Sequence, residues 1–206
     1  VLGVICEVSL KVLPVYRATA TLCFDWDENQ ALRQLRLWAS QPLPVTASAW
    51  HNGQLHVRLA GAVAAVTAAC GRLRGAAVSS DAATAWWRSV RDQTGDFFSL
   101  SEADLAGGEC LWRLSVPATA APVTLSGKQF IEWHGAERWW RTTAGVREVR
   151  AAAALAGGHA TLIRGADKSC GVFMPLNGVL MRIHRGLKQA FDPQCIFNPG
   201  RLYAEL

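Results

Sequence analysis

The chain has 206 residues, 50% of them hydrophobic and 18% charged, with a formal net charge of +5. That composition excludes a disordered or low-complexity protein, and the length suits one large domain or two small ones. The arginines are scattered instead of gathered into a basic arm, so the charge fits an anionic ligand, an acidic partner or nothing specific.

Residues 4–13 alternate, with Val4, Cys6, Val8, Leu10 and Val12 on one side and Glu7, Ser9 and Lys11 on the other, which predicts a strand covered on one face and ended by Pro14. A second strand is expected over 18–24. Asp25 or Asp27 can cap a helix over 28–39, whose Ala31, Leu32, Leu35 and Trp38 fall on one stripe. Asn52-Gly53 between 45–51 and 54–59 is the signature of a two-residue hairpin. A helix over 62–73 and a short strand over 76–79 follow. The order from 18 to 79 is thus strand, helix, strand, strand, helix, strand, the ferredoxin-like arrangement of an antiparallel sheet with helices on one face, and the fold class is α+β.

The second half repeats these ingredients less regularly. A helix is expected over 82–91, strands over 111–116, 129–133 and 138–142, a helix over 146–155, a strand over 159–164 and a closing helix over 179–190. Segments 101–108 and 117–127 have loop composition. The last stretch, LKQAFDPQCIFNPGRLYAEL over 187–206, carries two proline-locked turns, Asp192-Pro193 and Asn198-Pro199-Gly200, around an apolar pair, Ile196 and Phe197. A terminus this stiff is built to hold something in place.

No stretch reaches about 18 uninterrupted apolar residues, so no transmembrane helix is expected and the chain reads as soluble. Val1 opens directly on a strand pattern without a basic leader, so no cleavable signal is expected. Six cysteines lie far apart with no CxxC pair and no Cys/His cluster at zinc spacing, which predicts no metal site and free, mostly buried thiols.

Dinucleotide, nucleotide-loop, zinc-protease and hydrolase-elbow motifs are all absent, so any cofactor site built by this chain alone is unconventional or incomplete. His159 follows Gly157-Gly158, where backbone can approach closely. It suits either proton transfer to a ligand or a structural bond to a carbonyl. His51 and His56 flank the hairpin and are expected to face solvent. In the adjacent pairs Trp86-Trp87 and Trp139-Trp140 one ring of each is expected inside and the other near a surface; with Arg88, Arg138 and Arg141 alongside, they also admit an aromatic surface for single-stranded nucleic acid. Arg201 suits an anion and Asn198 offers a fixed amide, or the two belong to a rigid latch.

The tail, the Gly157-Gly158-His159-Ala160-Thr161 element, the Asp96-Phe97-Phe98-Ser99-Leu100 segment and the opening Leu2-Gly3-Val4-Ile5-Cys6-Glu7-Val8-Ser9-Leu10-Lys11-Val12-Leu13-Pro14 together resemble the smaller FAD-binding subunit of bacterial glycolate oxidase, a flavoprotein of the vanillyl-alcohol-oxidase type. The likeness runs in order along essentially the whole chain and matches the C-terminal portion of that subunit. It implies that residues 1–15 are the last strand of an FAD-binding domain, 16–185 a cap or substrate domain, and 186–206 a tail returning to the flavin domain. It implies further that Gly3, Val4, Ile5, Asn198 and Arg201 lie at the FAD, and that His159, on the cap side, is a candidate catalytic residue. The glycine-rich pyrophosphate loop of the family would precede Val1, so the FAD site is incomplete here and the isolated chain is expected to bind FAD weakly or not at all and to be inactive.

The expected function is therefore part of an FAD-dependent oxidoreductase acting on glycolate or a similar small 2-hydroxy acid. Its partners would be a sister FAD-binding subunit and an iron-sulfur subunit, in the cytoplasm or peripheral to the inner membrane through those partners. The alternatives are a non-catalytic assembly subunit of a heteromeric flavoprotein complex and a nucleic-acid-binding ferredoxin-like module.

Overall fold

The computed structural model describes residues 2–12 and 15–206. The chain divides into two compact units, one of residues Val15–Ala166 and one formed by the two terminal segments, Val1–Pro14 and Asp167–Leu206.

The larger unit is an eight-stranded antiparallel sheet. Its first half runs β1 (Ala18–Asp25), α1 (Glu28–Ala39), β2 (Val45–His51), β3 (Gln54–Gly61), α2 (Val63–Leu73) and β4 (Ala76–Val78). After α3 (Ser80–Asp92) and a short α4 (Glu102–Ala106), the second half runs β5 (Cys110–Ser115), β6 (Lys128–Glu132), β7 (Glu137–Thr142), α5 (Val146–Leu155) and β8 (His159–Arg164). The strand order is β4-β1-β3-β2-β6-β7-β5-β8. Each half has ferredoxin-like order, and the halves meet where equivalent strands, β2 and β6, pair antiparallel through Ala49↔Glu132, Trp50↔Ile131 and His51↔Phe130. The predicted α+β class and ferredoxin-like reading hold. The weaker repeat in the second half has a physical cause: residues 117–127, between β5 and β6, form no helix, and Ala120, Val123 and Leu125 pack on the core in its place.

Local sequence explains the elements. Asp27 caps α1 by accepting from the Gln30 amide at 2.8 Å while Gln30 returns to the Asp27 amide, and the helix buries Ala31, Leu32, Leu35 and Trp38. Asn52 (φ 50°) and Gly53 (φ 80°) take the left-handed conformations that a two-residue hairpin demands. Helices α1, α2 and α5 bury their stripes on one face of the sheet, against Leu22, Leu55, Val57, Leu59, Trp112, Leu114 and Leu162. The opposite face is not bare. There α3 and residues 94–100 build a second core of Val90, Phe97, Phe98, Phe130 and Trp139.

That second cover corrects several expectations. Both members of the Trp139-Trp140 pair are buried, one in each core, because the sheet is covered on both sides at β7. Trp86 stacks on His56, and Trp87 donates its Nε1–H to Thr21 Oγ1 at 2.9 Å, so this pair also packs on the sheet. His51 lies between Phe97 and Phe130, its Nδ1 2.9 Å from the Gln129 carbonyl, and His56 is half-buried with its imidazole pKa lowered by burial. Neither histidine faces solvent. Residues 101–108, expected as loop, contain α4, nucleated by a reciprocal Ser101/Asp104 cap.

In the smaller unit, residues 2–12 join no ladder and Val4, Val8, Leu10 and Val12 are exposed, so the strand expected over 4–13 does not form among the described residues; Leu13 lies outside them. Alternation marks a segment able to pair, but a ladder also needs a neighbouring strand with free backbone groups. Against the expectation of mostly buried thiols, none is buried: Cys6, Cys170 and Cys195 are exposed and the other three half-buried. Helix α6 (Gly178–Phe191) is capped by Asn177, whose side chain accepts from the Leu180 amide at 2.9 Å. It leads into a tail organised by Asp192. That buried carboxylate accepts from Lys188 Nζ at 2.6 Å and from the Ile196 and Phe197 amides at 3.0 and 2.9 Å, while Lys188 also donates to the Phe197 carbonyl at 2.8 Å. The stiffness read from the prolines is thus completed by one carboxylate.

Burial alone would raise the Asp192 pKa, but the Lys188 bond and the two amides together hold it down to about 2. Its folded value lies below its unfolded one, so its contribution is present above the unfolded carboxyl range, near about 4, and is lost as pH falls toward 2. Asp192→Asn is expected to abolish amide-exchange protection at Ile196 and Phe197 at pH 7 while leaving β1 to β8 protected. Unchanged protection at both amides would contradict this role.

Candidate functional site

One row across the second face of the sheet brings two half-buried carboxyl groups side by side. Registered partners in an antiparallel sheet share a face, and the pairs Ala49↔Glu132, Glu132↔Glu137, Glu137↔Ser115 and Ser115↔His159 run across five strands in a single line. Arg113 lies one step over, opposite Trp139 and Thr161.

The two carboxylates are brought together by an unusual turn. Trp133 (φ 51°), His134 (φ 57°) and Gly135 (φ 94°) are three successive left-handed residues. Two of them carry side chains, at a cost of roughly 1–3 kcal/mol each. The turn is held by the His134 amide donating to Ser48 Oγ at 2.9 Å and the Ala136 amide donating to the Trp133 carbonyl at 3.1 Å. Gly135 suits its φ of 94°, and a Cβ there would also press on Leu32 Cδ2, 2.7 Å away. The strained turn starts β7 at Glu137, directly opposite Glu132.

Burial pushes the Glu132 carboxyl up to about 7, the neighbouring Glu137 charge adds to this, and the Trp139 Nε1–H, donating at 2.9 Å, partly opposes it. Burial also raises Glu137, which the Arg113 charge partly offsets. The Arg113 Nε–H is buried and has no hydrogen-bond acceptor. A carboxyl that is partly protonated at neutral pH, beside a second carboxylate and an arginine, can take up or deliver a proton without a large driving force. Because the folded Glu132 pKa exceeds the unfolded value near about 4.3, the native state binds the extra proton between these values, and stability falls as pH rises from about 4 to about 7. In a carbon-13 carboxyl titration Glu132 is expected to report a midpoint near 7, and Glu137→Gln to move it toward the ordinary range. A Glu132 midpoint below 5 in the unaltered chain would contradict the pairing.

The residues singled out from sequence fall in different places. His159 begins β8 at the exposed end of the row. Its preceding Gly158 packs directly on the Ser115 backbone, which is the close approach that the paired glycines imply. Gly3, Val4 and Ile5 lie in the exposed N-terminal segment. Asn198 (φ 46°) and Arg201 occupy the second proline-locked turn of the tail, where the Arg201 amide donates to the Asn198 carbonyl at 3.3 Å. Glu132, Glu137, Arg113 and Ser115 were not singled out, because no motif joins them. The available signal was the Glu132 and Glu137 flank of a Trp-His-Gly turn, and it needed the strand register to become a site. Among the described residues, no three His, Cys, Asp or Glu side chains gather in a way that could hold a metal ion.

The architecture defines a class: two fused ferredoxin-like repeats with a polar row on one sheet face, followed by an Asp192-centred tail. No family model matches the chain, and no solved structure matches it. Among curated proteins, it is 40% identical over 205 residues to the glycolate oxidase subunit GlcE of Escherichia coli (strain K12). The alignment takes in 100% of this chain and 55% of that protein, so the chain spans about half the length of its curated relative. The resemblance to a glycolate oxidase subunit therefore holds along the entire sequence and is consistent with a C-terminal portion.

Proposed function

We propose that the chain is the C-terminal part of an FAD-dependent oxidoreductase subunit that oxidises glycolate or a similar small 2-hydroxy acid, with electrons passing through FAD to partner subunits. The observation that carries this reading is the 40% identity to a glycolate oxidase subunit over all of the chain. In this reading residues 1–15 are the last strand of the FAD-binding domain, 16–185 the cap and 186–206 the returning tail. The grouping of both terminal segments into one compact unit supports a returning tail, and that unit begins at Asp167, so it also takes in residues 167–185.

The residues present suit part of an FAD site. The backbone of Gly3, Val4 and Ile5 joins no ladder, and Arg201 is exposed and forms none of the ion pairs among the described residues, which leaves a cation for an anionic cofactor. When bound, FAD supplies the two-electron acceptor. The chain's own contribution is protonic and electrostatic. Glu132, with its pKa near 7, can receive the proton that a hydroxyl loses on oxidation, Arg113 offers a cation to the substrate carboxylate, and His159 is a second proton acceptor at the open end of the row.

The partners in this reading are a sister FAD-binding subunit and an iron-sulfur subunit, with the complex in the cytoplasm or peripheral to the inner membrane. Among the described residues no helix is long and apolar enough to cross a membrane. A second reading, a non-catalytic assembly subunit, is favoured by the exposed stripe Leu180, Ile183, Leu187 and Phe191 on α6. A fusion carrying the unmatched part of the E. coli relative ahead of Val1 separates the two. Glycolate-dependent dye reduction that is lost in Arg113→Gln and Glu132→Gln supports the catalytic reading. Turnover of the assembled complex unchanged by both substitutions supports the assembly role and sinks the catalytic one.

A further inference from the structure

We propose that the cavity between the sheet and α3 is a binding site for an organic molecule ending in a carboxylate or phosphate, with Arg58 as its anchor. The cavity has a volume of about 1130 Å³ and is lined by Arg58, Thr19, Ala47, Thr84, Trp87 and Arg88, among others. That is the scale of a ligand pocket, far more than a packing defect.

Arg58 is fixed without being neutralised. A β-bulge between Val45 and Ala47 leaves Thr46 as the unpaired residue of β2. Its hydroxyl accepts from Arg58 Nε at 3.1 Å and donates to the Arg58 carbonyl at 3.3 Å. On the other side the guanidinium carbon sits 5.5 Å from the centre of the Trp87 ring, and Trp87 is itself locked by its bond to Thr21. Bulges re-aim side chains, and here the bulge holds an arginine by its Nε and its face. Among the described residues the two terminal nitrogens of the fork have no protein acceptor, and no ion pair includes Arg58.

A half-buried, immobilised guanidinium with both end nitrogens unused presents the geometry that a carboxylate or phosphate engages through two parallel bonds. Arg88 adds charge from α3, and the hydroxyls of Thr19 and Thr84 add polar contacts, while Ala47 and Ala83 leave room for the rest of the molecule. Glu132 also lines the cavity, so the site adjoins the row described above, while Arg58, Thr46 and Trp87 take no part in the flavin reading.

Titration of the full chain with oxalate and, separately, with inorganic phosphate tests it, followed by nitrogen-15 signals of the Arg58 Nε–H and the Trp87 indole. At least one anion is expected to saturate both signals below about 10 mM. Arg58→Gln is expected to weaken that anion at least tenfold with the unfolding midpoint retained, and Thr46→Val, which frees the guanidinium, to weaken it less. Preference for oxalate or for phosphate identifies the ligand's end group. Failure of both anions to saturate, or affinity unchanged in Arg58→Gln, would overturn the proposal.

Discussion

Arg138→Met is expected to lower the unfolding free energy by about 3 kcal/mol or more, read as a fall in the urea midpoint at an unchanged slope. Arg138 is wholly buried, yet among the described residues no carboxylate forms an ion pair with it. Its fork is spent on carbonyls: Nε donates to Gly135 at 3.0 Å, Nη1 to Ala121 at 2.8 Å and Nη2 to Ala120 at 2.7 Å. One side chain therefore ties the strained β6–β7 turn to residues 117–127, the segment standing where the second repeat lacks a helix. Methionine fills similar volume but leaves carbonyls without donors, and each buried unsatisfied group costs about 1–3 kcal/mol. Arg36 still donates to Ala120 at 2.9 Å, so that carbonyl keeps a partner and the loss falls on Gly135 and Ala121. Lysine is not expected to rescue, because a single ammonium cannot reproduce three bonds in a planar fork. A loss below about 1 kcal/mol, within the range of an ordinary surface change, would show that the segment is held by packing alone.

Gly158→Ala is the second large effect, expected to cost about 3 kcal/mol. A Cβ at this position would collide with the Ser115 carbonyl oxygen and lie 2.9 Å from both the Ser115 carbonyl carbon and Val116 Cα. The obstruction is backbone at the end of the β5–β8 pair, where Ser115 closes β5 and His159 opens β8, and it cannot swing aside like a flexible side chain. The strands must separate where Ser115 faces His159, so the substitution is expected to strip exchange protection from the amides of that pair before it affects β1 to β4. Gly157→Ala provides the contrast. There the conformation is left-handed (φ 78°) but the nearest atom is Pro117 Cγ at 3.6 Å, so only the backbone strain of roughly 1–2 kcal/mol is expected. Equal costs at the two glycines would contradict the steric account.

Much of the fold was legible because local signals agreed. The Asp27 cap with its apolar stripe defined α1, Asn52-Gly53 defined the first hairpin, and the 146–155 and 159–164 patterns matched α5 and β8. The features that sequence missed depend on what lies across the sheet. Trp139 and Trp140 point to opposite faces, as adjacent strand residues must, but only the tertiary cover of α3 and residues 94–100 decides that both are buried. His51 was expected to face solvent beside the hairpin turn, whereas Phe97, far away in sequence, packs against it. Residues 4–13 show the converse. Their alternation announces a strand, and no described neighbour supplies the ladder.

The same division runs through the site. His159 was visible because two glycines precede it, and Arg201 because the tail fixes its surroundings. Glu132 and Glu137 look like ordinary charged residues flanking a turn until the register Glu132↔Glu137 sets them side by side. Burial then changes their chemistry, and composition cannot reveal burial. Arg58 was hidden for a related reason: the bulge that positions Thr46 is a departure from regular pairing that no periodic pattern encodes.

The most direct test of the central claim is the visible flavin spectrum of the fusion in which the unmatched part of the E. coli relative precedes Val1. The purified fusion is expected to carry close to one flavin per chain, bleached by glycolate under anaerobic conditions, with Arg201→Ala retaining less flavin at equal folding. A folded fusion that is colourless in the presence of excess FAD, or whose flavin is untouched by any small 2-hydroxy acid, would contradict it.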